Sequence, residues 1–111
     1  MLTNPMFRPV IHLLLHLIVP AIVARVFFRE NFLKAWLTML ATMLVDLDHL
    51  VADPIYDAGR CSIGFHPLHQ YPVIAAYTAF AFWPKLRLLG IGLIIHMALD
   101  GVDCVWINYE T

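Results

Sequence analysis

The six histidines of this 111-residue chain keep company with aspartates. His12 and His16 are four residues apart, Asp46, Asp48 and His49 fall within four residues, His66 and His69 are three apart, and His96, Asp100 and Asp103 follow at spacings of four and three. On a helix, residues three or four apart share a face. His12 and His16 therefore point together, Asp46 and His49 converge with Asp48 turned away or acting behind them, and His96, Asp100 and Asp103 form one polar stripe. Neutral imidazole and carboxylate are the ligand set of zinc, manganese and iron. The expected metal ligands are His12, His16, Asp46, Asp48, His49, His66, His69, His96 and Asp100. These are more groups than one four-coordinate ion can use, so two or more divalent ions are expected, zinc first, with manganese or iron as alternatives. An open coordination position would generate hydroxide near neutral pH, and paired ions would clamp the attacking and leaving oxygens of a phosphoester. The chemistry expected is hydrolysis, with Asp48 or Asp46 as general base. Arg60 would serve as an anion contact or, equally, pair with Asp57.

The elements that must position these groups are apolar. Hydrophobic residues make up 61% of the chain and charged residues only 14%, against about 25% in an average soluble domain, and the mean hydropathy is +0.76. The expected fold class is all-α: one integral membrane domain over residues 1–111, built as a four-helix transmembrane bundle. Its helices are expected at 9–28, 32–52, 67–84 and 86–107, with one long outer loop between helices two and three. Strands are disfavoured because the apolar runs are continuous and an open sheet cannot satisfy its backbone in lipid. Counted at 1.5 Å per residue from the opposite face, His16, Asp46, His96 and Asp100 lie at depths of roughly 18, 21, 15 and 21 Å. His12 lies one turn further out, and His66 and His69 enter from the same side on the long loop. Pro20 is expected to kink the first helix. That helix reads as a mature span, because it is long, lacks a small-x-small cleavage site and carries two histidines.

Lys and Arg set the orientation. Arg25, Arg29, Lys34, Lys85 and Arg87 lie at one face, and Arg8 and Arg60 at the other, which puts the termini and the long loop outside a multi-pass protein of a bacterial inner (cytoplasmic) membrane. The partners expected are the lipid bilayer and a lipid or lipid-linked substrate, with a homo-oligomer allowed. Nucleic acid is excluded as a partner, because phosphate backbones need clustered basic residues and the net charge is −1. Cys61 and Cys104 could both face an oxidising compartment, where a disulfide is permitted, with free buried thiols or soft metal ligands as rivals. Gly90 and Gly92 are expected to allow close helix packing. Trp36, Trp83, Trp106, Tyr71, Tyr77 and Tyr109 read mostly as interface anchors, and Asp53, Pro54 and Asp57 as turn and helix-end residues.

The stretches LATMLVDLDHL and RCSIGFHPLHQY, with the rest of the chain, resemble a small uncharacterised family of bacterial membrane proteins. More distantly, the order of elements is similar to the YdjM-type membrane-bound metal-dependent hydrolases: an early helix histidine (His12 or His16), a D-x-D-H box (Asp46, Asp48 and His49), a loop histidine (His66 or His69) and an H-x-x-x-D helix (His96 and Asp100). Where those hydrolases show an H-R-x-x-T-H-S stretch, this chain has Phe65-His66-Pro67-Leu68-His69-Gln70. The H-x-x-x-D helix is also similar to that of zinc-dependent phospholipase C and related nucleases, which implies a phosphoester as the substrate bond. The rival class is a small metal or proton transporter, or a metal-binding structural subunit of a larger assembly. A pathway needs ionisable groups through the full membrane thickness, and there is no Asp, Glu, His, Lys or Arg between Leu37 and Val45, Val73 and Trp83, or Leu88 and Ile95.

Overall fold

The computed structural model describes residues 7–55, 57 and 59–110. Among them there are four α-helices and no strands: α1 (Phe7–Phe27), α2 (Phe32–Ala41), α3 (Tyr71–Ala81) and α4 (Arg87–Glu110). Continuous apolar sequence drives α1 and α4, which are 21 and 24 residues long. The segments Phe7–Phe27 and Arg87–Tyr109 are long and apolar enough to cross a membrane. Pro20 lies inside α1, which runs through it as one helix.

Two of the expected helices are differently built. The stretch expected as one helix over 32–52 is α-helical only to Ala41 and continues as a 3₁₀ helix over Thr42–Val51. At about 2.0 Å per residue this winding carries Asp46 only about 2 Å further along the axis than an α-helix would, so the depth match survives. Three residues per turn also stacks Asp46 and His49 on one face while turning Asp48 to another. The helix expected over 67–84 is shorter: a 3₁₀ turn at Pro67–His69 precedes α3, whose 11 residues rise only about 16 Å. Pro67 and Pro72 each lie at the start of their element, where a missing N–H costs nothing.

Helix α4 packs against α1, α2 and α3, and α1 packs against α2. One apolar cluster joins Ala24 of α1, Ala35 and Met39 of α2, and Leu88, Ile91 and Ile95 of α4. A second joins Tyr77 of α3 to Leu93 and Met97 of α4. Tyr77 is therefore core rather than an interface anchor, and its hydroxyl donates to the Leu68 carbonyl at 2.9 Å. Buried polar and charged side chains sit beside the two apolar clusters. His16, Asp48, His66, His69, His96 and Asp100 are buried, while Leu13, Ile22, Val26, Leu37, Leu44 and Val105 face outward.

The expected close approach at the glycines is present. A Cβ on Gly90 would strike the backbone of Phe80 and Ala81, and one on Gly92 would meet the Met39 Cα at 2.9 Å. Gly101 has open space around that position. Gly90→Ala should therefore lower the detergent-micelle melting temperature, at a cost of about 1–3 kcal/mol from overpacking. Gly101→Ala should hold or raise it, since alanine is the better helix former by about 1 kcal/mol. Equal melting temperatures for the two variants would contradict this packing.

Candidate metal centre

All six histidines of the chain meet in one region with Asp46, Asp48 and Asp100. Three groups of ligand atoms form there: Asp46, His69, His96 and Asp100; His12, His16 and Asp100; and Asp48, His49 and His66. Helix α1 supplies His12 and His16, the 3₁₀ segment supplies Asp46, Asp48 and His49, the loop supplies His66 and His69, and α4 supplies His96 and Asp100. All nine residues expected as ligands are thus brought together.

Asp100 is the hub. Its Oδ1 lies 3.1 Å from His12 Nε2 and 3.2 Å from His16 Nε2, while its Oδ2 lies 2.9 Å from His69 Nε2 and 3.3 Å from His96 Nε2. One oxygen serves each of the first two groups. Asp46 Oδ1 completes the group on the Oδ2 side, 3.3 Å from His69 Nε2 and 3.1 Å from His96 Nε2.

The hydrogen bonds behind the ligands fix which nitrogen faces inward. His16 Nδ1 donates to the His12 carbonyl at 2.9 Å, which leaves its Nε2 aimed at Asp100. His69 Nδ1 lies 2.9 Å from Asp48 Oδ2, which also accepts from the Leu68 amide at 2.8 Å. Such a carboxylate partner on the far nitrogen orients metal-binding histidines generally. Asp48 is consequently not an accessible base: Oδ2 is doubly engaged, Oδ1 faces His49 Nδ1 at 3.1 Å, and the residue is buried. Asp48 lies behind His69 and beside His49, and it also belongs to the third group of ligand atoms.

Fit to a cation can be tested on the buried atoms themselves. His16 Nε2, His69 Nε2 and Asp100 Oδ2 are buried and make no hydrogen bond, as are His66 Nδ1 and His96 Nδ1. The contacts of His16 and His69 with Asp100 are short but lack hydrogen-bond geometry. A neutral imidazole whose Nδ1 already donates presents only a lone pair at Nε2. Lone pair against carboxylate in an enclosed site is unfavourable without a proton or a metal ion between them. The donor set, nitrogen and oxygen without thiolate, suits a divalent ion of the zinc, manganese or iron kind. His66 is held below the usual histidine range by burial and by the neighbouring His49, which keeps its lone pair available at neutral pH.

Several residues close the site. Cys61 and Cys104 form a disulfide with a Cα–Cα distance of 4.8 Å, tying the loop to α4. Gln70 Nε2 donates to the Gly64 carbonyl at 3.0 Å. Arg8 Nη1 donates to Asp103 Oδ1 at 2.7 Å, and that oxygen lies 3.8 Å from His12 Nδ1. Sequence reasoning missed the place of Arg8 at the site, although it stands one turn before His12 on the same helix. Arg60 gives Nη1 to the Pro54 carbonyl and Nη2 to the Ile55 carbonyl, with its guanidinium 4.7 Å from the Phe65 ring centroid. Asp57 instead accepts from the Gly59 amide.

A cavity of about 550 Å³ opens onto the centre. His12, Asp46, His49, His66 and Asp100 line it, with Leu13, Leu47, Leu50 and Ile55 as apolar wall and Arg8 and Arg60 as its cations.

The profile of a protein family of unknown function, DUF6122, matches residues 6–107. The chain belongs to DUF6122. The match spans every ligand from His12 to Asp100 and brings no link to the YdjM-type hydrolases. No curated protein and no solved structure matches this DUF6122 chain significantly.

Proposed function

We propose that this chain is a membrane-embedded, metal-dependent hydrolase acting on a phosphoester bond of a lipid or lipid-linked substrate, with zinc as the metal. In this reading the four helices form a transmembrane bundle in a bacterial inner membrane, with the termini and the long loop outside. The observation that carries the reading is the enclosed convergence of imidazole nitrogens on the two oxygens of Asp100 at the floor of an apolar-walled cavity. Bound divalent ions would acidify a coordinated water and neutralise charge on the phosphoryl oxygens.

The chain's own groups then have distinct tasks. Leu13, Leu47, Leu50 and Ile55 accommodate the apolar part of an amphipathic substrate, and the Arg8 and Arg60 guanidiniums face its anionic head. Asp46, with 39% of its side chain exposed, reaches the cavity and is the general base; Asp48 positions His69 and His49 from behind. On the opposite side of the centre, the cluster around Ala24, Ala35 and Met39 is apolar among the described residues, which supports a one-sided site over a transport pathway.

Detergent-purified, zinc-loaded protein assayed on a panel of phospholipids, lipid phosphates and lipid esters should release phosphate or head group. Asp46→Asn should reduce that rate by at least about 10²-fold, through loss of a positioned base and of a ligand oxygen beside His69 and His96, with metal content measured alongside to separate the two. An inert metal-loaded protein across the whole panel would sink the hydrolase reading.

A further inference from the structure

The three ligand groups are not equivalent. The first two share Asp100, one oxygen each, so that ions in both would be tied by a single carboxylate. The third group, Asp48, His49 and His66, shares no ligand with them. Its ligands come only from the 3₁₀ segment and the loop. His49 and His66 stack with ring centroids 3.6 Å apart, and both line the cavity. His66 is 1% exposed, and its Nδ1 has no hydrogen-bond partner. A fully buried, partnerless imidazole nitrogen is a costly arrangement unless something occupies it.

Resting on the metal-centre reading above, we propose that Asp48, His49 and His66 form a separate site for a third divalent cation, weaker than the Asp100-bridged pair and exchangeable through the cavity. The weakness follows from Asp48. Its Oδ2 already accepts from the Leu68 amide and faces His69 Nδ1, and its Oδ1 faces His49 Nδ1. A cation entering here must replace the Asp48–His49 contact, whereas at Asp100 it meets imidazole nitrogens already gathered round the two carboxylate oxygens. Arg60, a fixed positive charge lining the same cavity, further lowers the affinity for a cation. Asp48 also couples the site to the others, because the carboxylate that would hold the third ion is the one that orients His69.

The test uses full-length protein in detergent with zinc as the probe. Elemental mass spectrometry should count three equivalents at saturating zinc and two after dialysis against a moderate chelator. His66→Ala, and separately His49→Gln, should saturate at two equivalents and retain both through dialysis, with unchanged helical circular dichroism. The two variants guard against one failing to fold. Wild-type protein that never exceeds two equivalents would overturn the third site and leave the hydrolase reading standing. Loss of all ions together in a folded His66→Ala or His49→Gln would overturn it as well, by making the groups one cooperative cluster. Wild-type protein that retains no zinc would overturn both the third site and the metal-dependent reading on which it rests.

Discussion

On the metal-centre reading, Asp100→Asn is expected to abolish tight metal binding. Asparagine matches aspartate in size, so the packing of α4 against α1 and α2 should be preserved. It offers one acceptor oxygen where aspartate offers two, with an NH₂ donor in place of the second. Asp100 uses Oδ1 for His12 and His16 and Oδ2 for His69 and His96, so the amide can serve one group at most. Its donor end would then point at imidazole nitrogens or, across the site, at Asp46. The loss in affinity should exceed the roughly 10–100-fold given by removing an outer-shell partner of a metal ligand. The check is elemental mass spectrometry on wild-type and variant protein purified side by side, with circular dichroism to confirm folding. A folded variant with undiminished metal would remove Asp100 from the centre.

The second large effect is expected from the disulfide. Cys61 and Cys104 are separated by 43 positions, and closing a loop of that length restricts the unfolded chain by about 4 kcal/mol on the chain-entropy account. Reduction, or paired Cys61→Ser and Cys104→Ser substitution, should therefore lower stability by about 2–4 kcal/mol. The loop should be affected most, since the bridge is its covalent attachment to α4. Limited proteolysis under reducing and non-reducing conditions should show earlier cleavage within residues 53–70 once the bridge is open. Identical melting and identical cleavage in both states would mean that the hydrogen bonds of Tyr77, Gln70 and Asp48 hold the loop unaided.

Much of the centre was legible because helical rise is regular. Counting residues from the ends of the apolar runs was enough to bring His16, Asp46, His96 and Asp100 to one height, and the structure joins them. The 3₁₀ winding over Thr42–Val51 was not legible, since TMLVDLDHLV is as compatible with α as with 3₁₀ winding on apolarity alone. The short α3 was half visible: Pro67 and Pro72 mark starts, but apolar sequence continues past Ala81 to Trp83. The cysteine pair was undecided in sequence because pairing is a matter of distance across the fold. Arg8 was overlooked for a related reason, as it becomes part of the site only when α4 brings Asp103 beside it. Tyr77 was misassigned because an amphipathic side chain suits an interface as well as a core, although its place mid-way along α3 points inward.

Asp100 has a consequence for biogenesis. Its two oxygens meet histidines of α1, the loop and α4 itself, and it sits on α4, which is synthesised after the other three helices. Until that helix docks, His12 and His16 have no carboxylate in their group, and His69 has only Asp46 on its inner nitrogen. A nascent chain therefore has no complete centre to load. On the metal-centre reading, capture follows the docking of α4 against the other helices.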